Sequence, residues 1–187
     1  MAIASQKLLQ NLLKITQDNC TATENLKTEP TAILNWKQDP KCWSVLECIE
    51  HLNRYGDFYL PEITTKIKTA QPKSSELFKG NWLGSYFSKS VSYSETLNKM
   101  KTFKSMNPLN SELNSQTLEK FINQQHQIIG LLEQSKNINL DKTKTAISIS
   151  TLIKLRLGDT FKVLVYHNER HIKQAEQTLK KAVINNL

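Results

Sequence analysis

Apolar residues recur every three to four positions in four segments of the chain, separated by polar intervals. In residues 5–20, Leu8, Leu9, Leu12, Leu13 and Ile15 share one broad face when each residue is turned by about 100° from the last. Residues 45–68 repeat the pattern with Val45, Ile49, Leu52, Tyr59, Ile63 and Ile67. Residues 115–136 do so with Leu118, Phe121, Ile122, Ile128, Ile129, Leu131 and Leu132, and residues 160–184 with Phe161, Leu164, Val165, Ile172, Ala175, Leu179 and Val183. Four amphipathic helices of roughly 20 residues, each about 30 Å long, predict an all-α four-helix bundle. A length of 187 residues suits one domain spanning 1–187.

Local signals set the expected ends. Ser44 and Glu47 form a capping-box pair at the start of the second helix, and Pro61 is expected to kink it. The third helix should start at Asn114 or Ser115, and the fourth at Asp159 or Thr160 as cap. Residues 21–41, with Pro30 and Pro40, read as a connector with a short turn over 31–36. Residues 70–114 read as a long excursion anchored by Trp82, Tyr86 and Phe87, and a loop of that length is a candidate cover for a site. In the connector 137–158, the β-branched run 145–151 predicts a short extended piece.

Composition narrows the class. No stretch approaches the roughly 20 apolar residues of a membrane span, and Lys7 and Lys14 interrupt any secretory leader, so a cytoplasmic protein is expected. Cys20, Cys42 and Cys48 include no CxxC pair, and their odd number argues for reduced thiols. The net charge of +8 raises nucleic-acid binding, but the lysines are dispersed without interleaved aromatics, and a solvated basic surface is the better reading.

Three of the four histidines carry the candidate chemistry. His167 and His171 stand one turn apart on the flank of the fourth apolar stripe. His51 lies on the flank of the second, near Cys48 and Tyr55. Two such flanks facing each other would converge on one point, where three neutral imidazoles suit Zn²⁺, Ni²⁺, Co²⁺ or Fe²⁺ and leave a position for water or substrate. Residue pattern alone leaves open the plainer reading of hydrogen-bonded or surface histidines. A zincin protease is not expected, since Asn168 stands where HExxH needs its glutamate and Glu169 points about 160° from His167. His126 falls on the polar side of the third helix and reads as surface.

The run Trp43-Ser44-Val45-Leu46-Glu47-Cys48-Ile49-Glu50-His51-Leu52 resembles the WS-x-x-E-x-x-x-HL start of the second helix in the DinB-like, or YfiT-like, superfamily of metal-dependent hydrolases. The run from His167 to Gln174 resembles that family's closing H-x-x-x-H-x-x-Q motif, at a fitting separation. The resemblance implies a four-helix bundle, often homodimeric, with one divalent ion, zinc or nickel, on His51, His167 and His171. It implies a small-molecule substrate attacked by a metal-activated thiolate or hydroxide, as in relatives that transfer low-molecular-weight thiols. Gln174, Asn168 and Tyr55 are the candidates for contact with the ligands or substrate, and no catalytic base is assigned. A bundle that binds metal or ligand without catalysis is the competing reading.

Overall fold

The protein is described here by a computed structural model covering residues 2–73, 75–94 and 102–185. Short strand β1 (Ile3–Ala4) leads into helix α1 (Ser5–Leu26), followed by the single turn α2 (Thr31–Leu34) and helix α3 (Val45–Lys68). Then come β2 (Leu77–Phe78), helix α4 (Trp82–Val91), helix α5 (Gln116–Gln134), the hairpin β3 (Lys144–Ile147) and β4 (Ser150–Arg156), and helix α6 (Leu157–Asn185). The two small sheets, β1 with β2 and β3 with β4, are antiparallel and peripheral to the helices.

The four long helices make the expected bundle: α1 and α3 each pack between α5 and α6 and stand diagonally opposite each other. One apolar cluster joins Leu12, Ile63, Leu132 and Phe161, and the other joins Leu26, Ile49, Phe121 and Ile172. Early residues of α1 and α6 therefore meet late residues of α3 and α5, so α1 and α6 run one way and α3 and α5 the other. Neighbours α3 and α5 are parallel, and the chain between them has to travel back along a bundle about 30–36 Å long. That is the physical reason for the long excursion over residues 70–114.

The excursion is more structured than expected. It contains α4, which runs alongside α6 with Gly84 so close to it that a Cβ there would lie 2.1 Å from Asp159 Cγ. Trp82 and Tyr86 do not anchor it: they are 79% and 64% exposed, while Phe87, on the other face, packs toward Ile147, Leu155 and Val163. Residues 95–101 lie outside the described residues.

Two helix boundaries differ from expectation. Helix α1 continues six residues past Cys20 because its later buried positions are polar: Thr16 and Thr23 return their hydroxyls to the carbonyls of Leu12 and Asn19, each at 2.8 Å. Such self-satisfied hydroxyls can be buried, yet they weaken a hydrophobic pattern. Helix α6 starts at Leu157, before the expected caps, because β4 runs directly into it and loop carbonyls meet its first amides, Leu157 N to Thr143 O at 2.8 Å and Gly158 N to Leu140 O at 3.3 Å. Near its other end Ala182 is buried in place of Val183, which is 39% exposed. The α3 start is as expected: Ser44 Oγ accepts from Glu47 N at 3.1 Å, and Glu47 Oε2 accepts from Ser44 N at 2.9 Å. Pro61 lies inside α3 without ending it. Among the described residues no helix is long and apolar enough to cross a membrane.

Candidate metal centre

Because α3 and α6 are antiparallel neighbours, His51 comes level with His167 and His171. One ligating nitrogen from each lies within 4.8 Å of the other two. His51 Nε2 is 3.3 Å from His167 Nε2, and the ring centroids of His51 and His171 are 4.6 Å apart. His51 and His167 are buried, while His171 keeps part of its surface toward an adjoining cavity of about 740 Å³.

The rings are held from behind. His51 Nδ1 donates to the carbonyl of Met106 at 2.7 Å, and His171 Nδ1 donates to Gln174 Oε1 at 2.9 Å. A proton fixed on Nδ1 leaves the lone pair on Nε2, the atom that faces the cluster in His51. Burial pushes all three imidazoles toward the neutral form. His51 is lowered to about 4 by burial, against an opposing contribution from the Met106 bond. His171 is lowered to about 3, with His51 adding to the burial effect, and His167 is lowered well below the ordinary value by burial and its two histidine neighbours.

This donor set fits a divalent ion. Two imidazole nitrogens on a tetrahedral ion, each about 2.0–2.1 Å from it, stand about 3.3–3.4 Å apart, and the His51 to His167 separation is 3.3 Å. The rings are neutral, as ligands must be. Among the described residues no fourth His, Cys, Asp or Glu joins the group, so a further coordination position would face the cavity.

The surroundings of the cluster were only partly visible in the sequence. Tyr55 packs edge-on against His51 and His167, at centroid distances of 5.0 and 4.6 Å, and burial raises its hydroxyl to about 12. Gln174 is at the site through His171. Asn168 is not: one residue on from His167 it turns into the core, where its Nδ2 donates to Gln125 Oε1 at 3.4 Å. Glu47 does not touch His51 either; its Oε1 accepts from Lys37 and from Asn110 N, both at 2.6 Å. Cys48 is fully buried, and burial raises its thiol above the ordinary range. His126 is exposed, with its Nε2 3.6 Å from the sulfur of Cys20.

What sequence reading missed is the return segment that holds His51. Arg54 donates to the carbonyl of Asn107 at 2.8 Å and to that of Ser105 at 3.4 Å, and Trp43 Nε1 donates to Asn107 Oδ1 at 3.2 Å. These bonds, with the Glu47 to Asn110 bond, fasten residues 105–110 to α3 and set the Met106 carbonyl against the imidazole. Asn110 takes the left-handed conformation, with φ of 65°, that asparagine tolerates better than most residues. Part of the excursion is thus a wall of the site: Thr102, Phe103, Asn107 and Leu109 line the cavity. A carbonyl contact leaves no trace in residue type; Arg54, one turn after Glu50 in the same helix, was the one side chain that could have hinted at it.

A helical bundle that gathers three neutral imidazoles at the base of an open cavity is a candidate metalloprotein. The chain belongs to the DinB superfamily, whose sequence profile matches residues 12–175, a span that includes all three histidines. No curated protein and no solved structure matches it.

Proposed function

We propose that this chain is a metal-dependent enzyme in which His51, His167 and His171 hold one divalent ion, zinc or nickel, and a thiolate or hydroxide attacks a small electrophile in the adjoining cavity. The observation that carries this reading is the convergence of three neutral rings, two of them fixed by Nδ1 bonds, at the floor of a cavity. An ion there would act as a Lewis acid, making the nucleophilic form of a water or thiol available near neutral pH.

The protein's own groups favour thiol transfer over hydrolysis. Among the described residues no Asp or Glu lines the cavity, so none of them stands ready as a general base to activate water. Tyr55, with its hydroxyl raised to about 12, stays protonated and can donate a hydrogen bond to developing negative charge without removing a proton. Met106 and Gln174 keep His51 and His171 in one tautomer. A thiol that ionises readily needs no further base.

Metal content by plasma mass spectrometry, for wild type and His167→Ala, tests the site: about one Zn or Ni per chain, lost in the variant, is expected. Thiol consumption with a panel of small electrophiles then tests the reaction. Ester or amide hydrolysis without thiol consumption would reverse the order of the two chemistries. A wild-type protein that takes up no Zn²⁺ or Ni²⁺ when either is supplied would leave a non-enzymatic bundle as the better account.

A further inference from the structure

The inner face of α4, with Leu83 and Phe87, packs against Leu155 and Val163, while its opposite face carries Trp82, Tyr86 and Lys89, all exposed. Positions i, i+4 and i+7 of a helix fall within about 60° of one another, so these three side chains form one outward stripe. Strand β4 repeats the arrangement beside it. Leu155 is buried against α6, and because side chains alternate along a strand, Leu152 and Lys154 point the other way; Leu152 is 92% exposed. Since α4 and β4 touch each other and both pack on α6, the faces they turn away from it make one surface. Its charge has one sign: residues 77–93 and 142–158 contain no Asp or Glu. Acids that touch these segments are engaged elsewhere. Asp159 is buried beneath Gly84, Asp141 pairs with Arg156, and Glu62 accepts from Ala146 N at 2.8 Å. Neither Lys89 nor Lys154 belongs to an ion pair among the described residues.

We infer that the chain docks peripherally on anionic lipid membranes through the outward faces of α4 and β4, with Trp82, Tyr86 and Leu152 entering the headgroup boundary and Lys89 and Lys154 against acidic headgroups. Tryptophan and tyrosine settle at headgroup depth, an aliphatic side chain reaches the acyl chains, and lysines are drawn to negative surface charge. A rigid partner needs hollows that match side chains this prominent, whereas a fluid bilayer yields to them. A nucleic acid would meet the lysines and aromatics yet leave Leu152 in water. Lying on a bilayer requires no spanning helix. The inference does not depend on the metal centre.

Co-sedimentation of the full chain with vesicles tests this, comparing phosphatidylcholine alone with phosphatidylcholine containing phosphatidylserine. Binding to the acidic vesicles should be about tenfold tighter or more, and should weaken as salt is raised. Trp82→Ser/Tyr86→Ser should weaken it about tenfold and Leu152→Ser about fivefold, while Lys89→Glu/Lys154→Glu should remove the preference for acidic vesicles. All five positions are exposed, so each variant should keep the helical circular dichroism of wild type. If a variant does not fold, the wild-type preference and the remaining variants carry the test. No binding to either vesicle, equal binding to both, or binding unchanged in the folded variants would overturn the inference. So would light scattering that shows these side chains closing a dimer, or a DNA duplex bound where vesicles are not.

Discussion

His167 and Asn168 are adjacent in sequence but belong to two different polar layers midway along the bundle, between its two apolar clusters. On the α3 side, His167 joins His51 and His171; bonds from Met106 and Gln174 fix the latter two, and a cavity opens beside the group. On the other side, Asn168 meets Gln125 of α5 through one long bond, and Asn168 Oδ1, Gln125 Nε2 and, on α1, Asn19 Nδ2 are buried with no partner among the described residues. Each such unsatisfied atom costs about 1–3 kcal/mol, and no histidine nitrogen is among them. The difference is orientation and access. The histidine nitrogens are aimed at one point that opens to the cavity, whereas the amide atoms have no cluster of ligands around them.

The largest test of the contrast is acid. Each histidine is neutral when folded and takes up a proton when unfolded below about pH 6.5. Over that range the unfolded state holds more protons, so the metal-free protein loses stability as pH falls. The loss begins below about 6.5 and stops only near the folded values, about 4 for His51 and about 3 for His171. At pH 5 it should reach about 2 kcal/mol each for His51 and His171, with His167 acting in the same direction. Urea unfolding of the chelated protein at pH 7 and pH 5 measures it, and a midpoint that does not move would contradict the burial of the rings. The amide layer, having no titrating group, adds nothing to this slope.

Next in size is loss of ligation. His171→Ala leaves two ring nitrogens and should lower zinc affinity by a hundredfold or more, while the fold, measured by circular dichroism, survives. Gln174→Leu is the milder probe of the same layer: it frees His171 Nδ1 and should weaken zinc about ten- to a hundredfold, with Gln174→Glu restoring binding because a carboxylate can accept the same proton. If Gln174→Leu binds zinc as wild type does, the bond to His171 does not orient the ring.

How far the sequence could be read follows the same division. The bundle was legible because Leu12, Ile49, Phe121 and Phe161 repeat at helical spacing, and the three histidines because they flank those stripes. Thr16, Asn19 and Thr23 hid the last turns of α1, since their burial depends on hydroxyl bonds within the helix or on partners supplied by packing. Asn168 could not be assigned to a layer from its position, because a residue 100° round from His167 can face either the site or the core depending on which helix stands there. The Met106 carbonyl was invisible because any residue supplies one. Helix α4 escaped notice because its outward face carries Trp82 and Tyr86, which look like core residues and are not.

The smallest expected effect is the most discriminating. Asn168→Leu keeps about the same volume, removes one unpartnered buried oxygen, and loses only the 3.4 Å bond to Gln125. Stability should change by no more than about 1 kcal/mol, and zinc content should not change at all. Adding Gln125→Leu removes the other half of the layer, and the pair should be more stable than the sum of the single variants, because each single change strands the partner amide. A loss of more than about 3 kcal/mol in Asn168→Leu would mean that an internal water completes these bonds. A fall in zinc content would mean that the two layers are one network, joined through the backbone between His167 and Asn168.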